Sequence, residues 1–141
     1  MNQNLTLVIW QKIFITFDKK KMTPENLQTI AFKWFDAFNN HNLDQLLSLY
    51  DDNAEHYSPK LKVQQPETKG FISGKNQLRA WWQSAFDQLP SLQYKPSSFT
   101  ANNDRIFMEY TRSVDNQEPL LVAEVLVVRD GKITASRVYH G

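Results

Sequence analysis

Cysteine is absent from the 141 residues, which removes disulfides, thiolate nucleophiles and cysteine-based zinc or iron–sulfur sites. An excess of either charge is missing too. Sixteen basic residues face fifteen acidic ones, a formal net charge of +1, and no arginine-rich run or dense lysine face offers a phosphate backbone a footprint. Nucleic acid is therefore not an expected partner. The only histidines are His41, His56 and His140, and none pair at a metal-ligand spacing such as H-E-x-x-H; no metal or other cofactor is expected. Leu5–Phe17 is the one oddity near the start. It is shorter than the ~20 residues of a membrane span and is interrupted by Gln11 and Lys12. Its lysines (Lys19, Lys20, Lys21) follow the apolar stretch, and no small-residue cleavage site appears, so it does not read as a signal peptide. The expectation is a cytoplasmic protein without a membrane partner. Residues 1–22 read as an N-terminal extension, either a misassigned start or an added arm, and 23–141 as the domain.

What is present is enough for one core. The length suits a single domain of about 100–150 residues, and nine Phe, five Tyr and four Trp supply large apolar side chains. Thr23-Pro24-Glu25 is a helix start: a capping hydroxyl, proline in the first turn, then an acid facing the dipole. From there Leu27, Ile30, Ala31, Trp34, Phe35 and Phe38 recur at steps of three and four, the stripe of an amphipathic helix. A second short helix is expected after the Asn42 cap, with Gln45 at the reciprocal position and Leu43, Leu46, Leu47 and Tyr50 buried. Asp51–Asn53 reads as a turn, Ala54–Ser58 before Pro59 as a short strand, and 60–74 as a loop of the length that serves as a binding lid. Lys75–Phe86 makes a third helix, with Leu78, Trp81, Trp82, Ala85 and Phe86 apolar.

Beyond Pro90 the period changes to two. Segments 91–101, 104–115, 118–129 and 132–140 read as strands, separated by turn signals at Asn102-Asn103, Asp115-Asn116 and Asp130-Gly131; Asp-Gly between apolar strands is the strongest hairpin signal of the three. Helices gathered ahead of an antiparallel meander predict an α+β domain.

Phe38-Asn-Asn-His-Asn-Leu-Asp-Gln-Leu-Leu-Ser-Leu-Tyr50, followed by Asp-Asp-Asn-Ala and Tyr-Ser-Pro59, resembles the opening of SnoaL-like proteins of the nuclear transport factor 2-like superfamily. Gly74-Lys-Asn-Gln-Leu78, the Leu89-Pro90 helix exit and Val127-Val-Arg-Asp-Gly-Lys-Ile133 continue the likeness, which runs over roughly residues 23–141. The resemblance implies a cone: a curved antiparallel sheet wrapped around a pocket and packed with three helices from the N-terminal half. It does not imply one activity, because the superfamily holds polyketide cyclases, ketosteroid isomerases, epoxide hydrolases, transport factors and plain binding proteins. In a ketosteroid isomerase the general-base aspartate precedes the proline that matches Pro59; this chain has Ser58 there. The isomerase's helix tyrosine matches Trp34, and its second oxyanion-hole acid matches Glu124. That activity is therefore not expected. The epoxide hydrolases' last-strand aspartate matches Val138, so their arrangement is broken as well. In SnoaL-type cyclases an acid deep in the pocket takes a proton from carbon, and only Glu124 fits that part.

Glu124 is the one charge within Leu120–Val128, a run apolar on both alternating faces. Such a strand is expected to be covered on both sides, by helices on one and by a second subunit of a homodimer on the other. A carboxylate there must be paired, hydrogen-bonded or protonated, and desolvation raises its pKa toward values useful to a general acid or base. A structural role, with Arg112 or a tyrosine satisfying it, stands beside the functional one. Alternation gives its neighbours: His56 with Ser58; Met108, Tyr110 and Arg112; Val122; Ser136, Val138 and His140. His56 reads equally as a core histidine, and His140 as a solvated chain end; His41 lies in a turn and is set aside. Trp34, Phe38, Trp81 and Trp82 supply apolar walls, as core or as ligand contacts. The expected function is a pocket for a small hydrophobic compound, cyclic ones included. If catalytic, Glu124 would be the general acid/base, His140 or His56 would relay protons, and Tyr110 and Arg112 would orient an oxygen or stabilise an enolate, for isomerisation, cyclisation or hydration. The alternatives are a non-catalytic binding module and a dimeric interaction domain.

Overall fold

The computed structural model describes residues 22–140; the expected extension lies outside them apart from Met22. Helix α1 (Pro24–Asn39) begins where the Thr23 hydroxyl accepts from the Asn26 amide, and Leu27, Ala31, Trp34, Phe35, Ala37 and Phe38 form its buried face. Helix α2 (Leu43–Ser48) is capped by the Asn42 side chain, which accepts from the Gln45 amide. The reciprocal half of that capping box does not form, because the Asn42 N–H donates to the Ala37 carbonyl instead.

Strand β1 (Tyr50–Tyr57) follows at once. The turn expected at 51–53 is absorbed into this strand as an irregularity in its pairing between Tyr50 and Glu55. The expected loop at 60–74 is largely structured. It holds helix α3 (Pro59–Gln64), a 3-10 turn at Pro66–Thr68 and the short strand β2 (Phe71–Ser73). Ser58 starts α3 by accepting from the Lys60 amide, and Pro59 takes the first helical position, where its missing N–H costs nothing. A proline-initiated helix of six residues carries too little period to be read in a charged segment. Helix α4 (Lys75–Gln88) buries Leu78, Trp82 and Phe86.

The meander is β3 (Gln93–Asn102), β4 (Arg105–Ser113), β5 (Leu120–Arg129) and β6 (Lys132–His140). Its turns fall where the asparagine and Asp-Gly signals stand: Asn103, Asn116, Asp130 and Gly131 all have positive φ. One six-stranded sheet results, in the order β2-β1-β6-β5-β4-β3. It is antiparallel, as expected, apart from one pairing: β1 runs parallel to β6. Parallel neighbours need a long crossover, and here everything from α3 to β5 intervenes.

Period-two alternation sorts the sheet into two faces. On β4, Ile106, Met108, Tyr110 and Arg112 are buried; on β5, Val122, Glu124, Leu126 and Val128. These point at α1 and α4. The other face is only partly covered by the described residues, and Leu121 on β5 is 75% exposed.

Candidate functional site

Register fixes the inner face as a ladder of rungs. Ile106, Leu126 and Ser136 share one; Met108, Glu124 and Val138 the next; Tyr110, Val122 and His140 the one after, with Arg112 beside Leu120 beyond it. Rungs lie two residues apart, about 6.6 Å along the strand. Chemistry changes from rung to rung: a hydroxyl network, then an acid, then bases.

The network is built around Ser136. The Trp34 indole Nε1–H donates to the Tyr50 hydroxyl at 3.0 Å, Tyr50 donates to Ser136 Oγ at 3.1 Å, and Ser136 Oγ meets His56 Nδ1 at 2.7 Å. Since Tyr50 spends its proton on Ser136, the serine proton is free to go to Nδ1, and this leaves His56 neutral with its proton on Nε2. Burial pushes His56 down to about 4, only partly countered by the Ser136 backbone, so the ring is neutral at physiological pH. The same burial pushes the Tyr50 phenol far up, and it remains a donor.

Glu124 is 1% exposed. Its Oε1 accepts from the Tyr110 hydroxyl at 2.7 Å, while its Oε2 has no hydrogen-bond partner. Desolvation pushes the carboxyl up to about 7 against the opposing pull of the Tyr110 bond. The acid is therefore close to half-ionised near neutrality. Tyr110 and Tyr94 are both raised, by burial first and then by the Glu124 charge. Arg112 does not neutralise Glu124: its Nη1 donates to the Gln117 side chain at 3.2 Å in the β4–β5 connection.

Trp34, His56, Tyr94, Tyr110, Arg112 and Glu124 meet at one cavity of about 110 Å³, which also opens toward α3 and α4. Of the residues singled out from sequence, Glu124, His56, His140, Arg112, Tyr110, Trp34, Phe38, Ser58, Trp81, Trp82, Val122 and Val138 line it. Met108 and Ser136 do not. Met108 is fully covered in the core, and Ser136 is consumed by the hydroxyl network behind His56. The two tryptophans diverge as their helical spacing requires. Trp82 is buried against Tyr50 and His56, with ring centres at 5.0 and 5.3 Å, and Trp81 is half-buried. His41 is structural, bonding the Leu92 carbonyl and stacking on Phe86.

Sequence reasoning missed Tyr94, Lys60 and the wall from α4, Ser84, Ala85, Gln88 and Leu89. Tyr94 had a findable signal: on β3 it stands opposite Arg112, so strand alternation places it inward. Lys60 had none, because its approach depends on α3. Among the described residues, no group of three or more His, Asp or Glu side chains is placed to hold a metal ion, and no helix is long and apolar enough to cross a membrane.

Residues 31–136 match the family model for the SnoaL-like domain. Among solved structures, the chain is similar to a SnoaL-like protein of unknown function from Burkholderia thailandensis, at 28% identity over 85% of this chain and 98% of that one, with a TM-score of 0.76. A protein from Sinorhizobium meliloti proposed to be a polyketide cyclase shares 18% identity over 84% of this chain and all of its own (100%), with a TM-score of 0.69. TerC, co-crystallised with polyporic acid, shares 18% over 82% of this chain and 92% of its own, with a TM-score of 0.72. At such identities the last two establish a common fold. No curated protein matches the chain in sequence.

Proposed function

The chain belongs to the SnoaL-like domain family, and on that premise we propose that it binds a small, largely apolar cyclic molecule in the cavity and exchanges a proton with it through Glu124. The observation that carries this reading is the state of that carboxyl. One oxygen is held by Tyr110, the other is buried with no partner, and the pKa is pushed up to about 7. A buried acceptor left unsatisfied costs about 1–3 kcal/mol, and a ligand proton offers it a partner. A carboxyl poised near neutral pH suits both halves of a proton transfer.

The chemistry within reach is cofactor-free. The Glu124 carboxylate takes a proton from a carbon next to a carbonyl, the C–H electron pair moves into the new C=C bond, and the carbonyl oxygen takes the negative charge as an enolate. Return of the proton to another carbon completes an isomerisation; attack of the enolate carbon on a second carbonyl, whose π pair moves to its oxygen and takes up the proton held by Glu124, gives a cyclisation. Tyr110 is a positioning residue in this scheme, since its hydroxyl is committed to Glu124. The His56 Nε2–H is the better donor to an enolate oxygen, because Ser136 fixes its tautomer. The apolar walls from Trp34, Phe38, Trp81 and Trp82 suit a ring system, and the fold-mate crystallised with polyporic acid is in keeping with that.

The test pairs binding with turnover. Wild type and Glu124→Gln are screened by thermal shift against steroids, terpenoids and polyketide-like aromatics, and stabilising ligands are then incubated in D₂O. Stabilisation of the wild type with deuterium gained at an acidic carbon, lost in the variant, is the expected result. Equal exchange in the two proteins removes Glu124 from the chemistry, and equal binding without exchange leaves a binding module.

A homodimer through the outer sheet face belongs to the same proposal. Leu121, Phe107, Tyr139 and Phe71 are exposed large apolar side chains on the strands of that sheet, a pattern that suits an interface. A monomer by light scattering at micromolar concentration would sink this part.

A further inference from the structure

The cavity is electrostatically lopsided. Among the described residues, Glu124 is the only acid that lines it, whereas Lys60, Arg112 and His140 all do so at the end away from the hydroxyl network. Arg112 is 7% exposed, and among the described residues no carboxylate forms a salt bridge with it; its one side-chain bond is to the neutral Gln117. Buried guanidinium groups ordinarily sit against a carboxylate or a phosphate. Here its electrostatic neighbours are bases. Lys60 loses basicity to burial and then to the Arg112 charge, and His140 to burial and then to Lys60 and Arg112. Three groups that repel one another, arriving from α3, β4 and β6, have no structural gain from being together unless something negative joins them.

Glu124 does not fill that place. It sits four residues along the ladder from Arg112 by register, about 13 Å of strand, and its surroundings favour the neutral acid. The spacing therefore suits one ligand spanning both groups.

We propose that Arg112, Lys60 and His140 form an anion site at the mouth of the cavity, and that the ligand is an aromatic or alicyclic carboxylic acid. Its carboxylate lies among the three bases, and its ring lies along the tryptophan wall toward Glu124. This deepens the proposed function and rests on it, since it names the class of molecule that Glu124 would meet. Arg112 offers a planar fork to the carboxylate, which Lys60 cannot. A bound anion also relieves the mutual repulsion, so it raises the pKa of His140.

Benzoate and benzamide, its uncharged isostere, make the probe pair. Affinity is read by calorimetry in low salt with wild type, Arg112→Gln and Lys60→Gln, while the His140 ring is followed by NMR across a pH titration. Benzoate is expected to bind at least tenfold tighter than benzamide and to raise the His140 pKa; Lys60→Gln and Arg112→Gln should each erase most of that advantage. Lys60 is half-exposed, so its variant tests the site even if Arg112→Gln fails to fold. Equal affinity for the two probes overturns the anion site while leaving the apolar pocket standing. No binding of either, or a benzoate preference unchanged in Lys60→Gln, also overturns it, and the reading of Glu124 then stands or falls on its own deuterium exchange.

Discussion

Replacing Glu124 by glutamine should change how stability depends on pH, not merely how large it is. The folded carboxyl holds its proton up to about 7, against an ordinary value of 4.5. Across that window the folded protein is protonated while the unfolded chain is not. Stability therefore falls as pH rises from about 4.5 to about 7, and stays lower above. At about 1.4 kcal/mol per pKa unit the fall is roughly 3 kcal/mol. His56 works in the opposite sense. Its folded value of about 4 lies below the ordinary 6.5, so the unfolded chain binds the extra proton and stability rises with pH between those limits, again by roughly 3 kcal/mol. His140, lowered in the same direction but more exposed, adds a smaller rise. In the wild type the slopes offset each other between about pH 4.5 and 6.5, leaving a nearly flat curve and a modest fall above. Glu124→Gln removes one slope and leaves the histidine rise. The glutamine oxygen can still accept from Tyr110, but its amide nitrogen replaces the partnerless Oε2, a pH-independent cost of about 1–3 kcal/mol. The readout is thus the slope and not the offset. Urea unfolding of both proteins at about pH 5, 6, 7 and 8, fitted as two-state, should show the variant gaining roughly 3 kcal/mol on the wild type across the range. Parallel curves would refute the reasoning, since Glu124 would then ionise in the fold as it does in water.

Ser136→Ala deletes the hydroxyl that joins Tyr50 to His56; a loss of about 1–3 kcal/mol by urea unfolding is expected. Gly70→Ala should cost more than about 1 kcal/mol: Gly70 has φ +91, and a Cβ there would stand 2.7 Å from Tyr57 Cε2. The same change at Gly131, φ +78 with no heavy atom within 4 Å, meets backbone strain alone and should cost less by the same assay. Thr23→Ala removes the α1 cap, and thermal melts should register about 1 kcal/mol of lost stability.

Much of the site was legible because strand alternation is a local rule. Once 104–115 and 118–129 are strands, Tyr110 must share a face with Arg112, and Glu124 with Val122. The same rule overreached at Met108 and Ser136, which share those faces but sit in the closed core and behind His56. Alternation tells a side chain's direction and not its depth. It also fell silent at 60–74, where α3 rests on a proline and a serine cap instead of a hydrophobic period.

The sequence by itself determined the helical stripe of α1, the hairpin turns at positive-φ asparagines and Asp-Gly, the isolation of Glu124 in an apolar strand, and the absence of thiol chemistry. Each follows from neighbours within a few residues, where backbone sterics and periodicity act. Only the tertiary structure decided that β1 joins β6 in parallel, that Tyr110 and not Arg112 takes Glu124, that Ser136 ties His56 to Tyr50, and that Lys60 arrives beside Arg112 and His140. Those contacts join residues as much as 86 positions apart. Such pairings depend on which long loops close and at what register, and hydrogen bonds and charge repulsion vary over fractions of an ångström to a few ångströms, distances that no local pattern encodes.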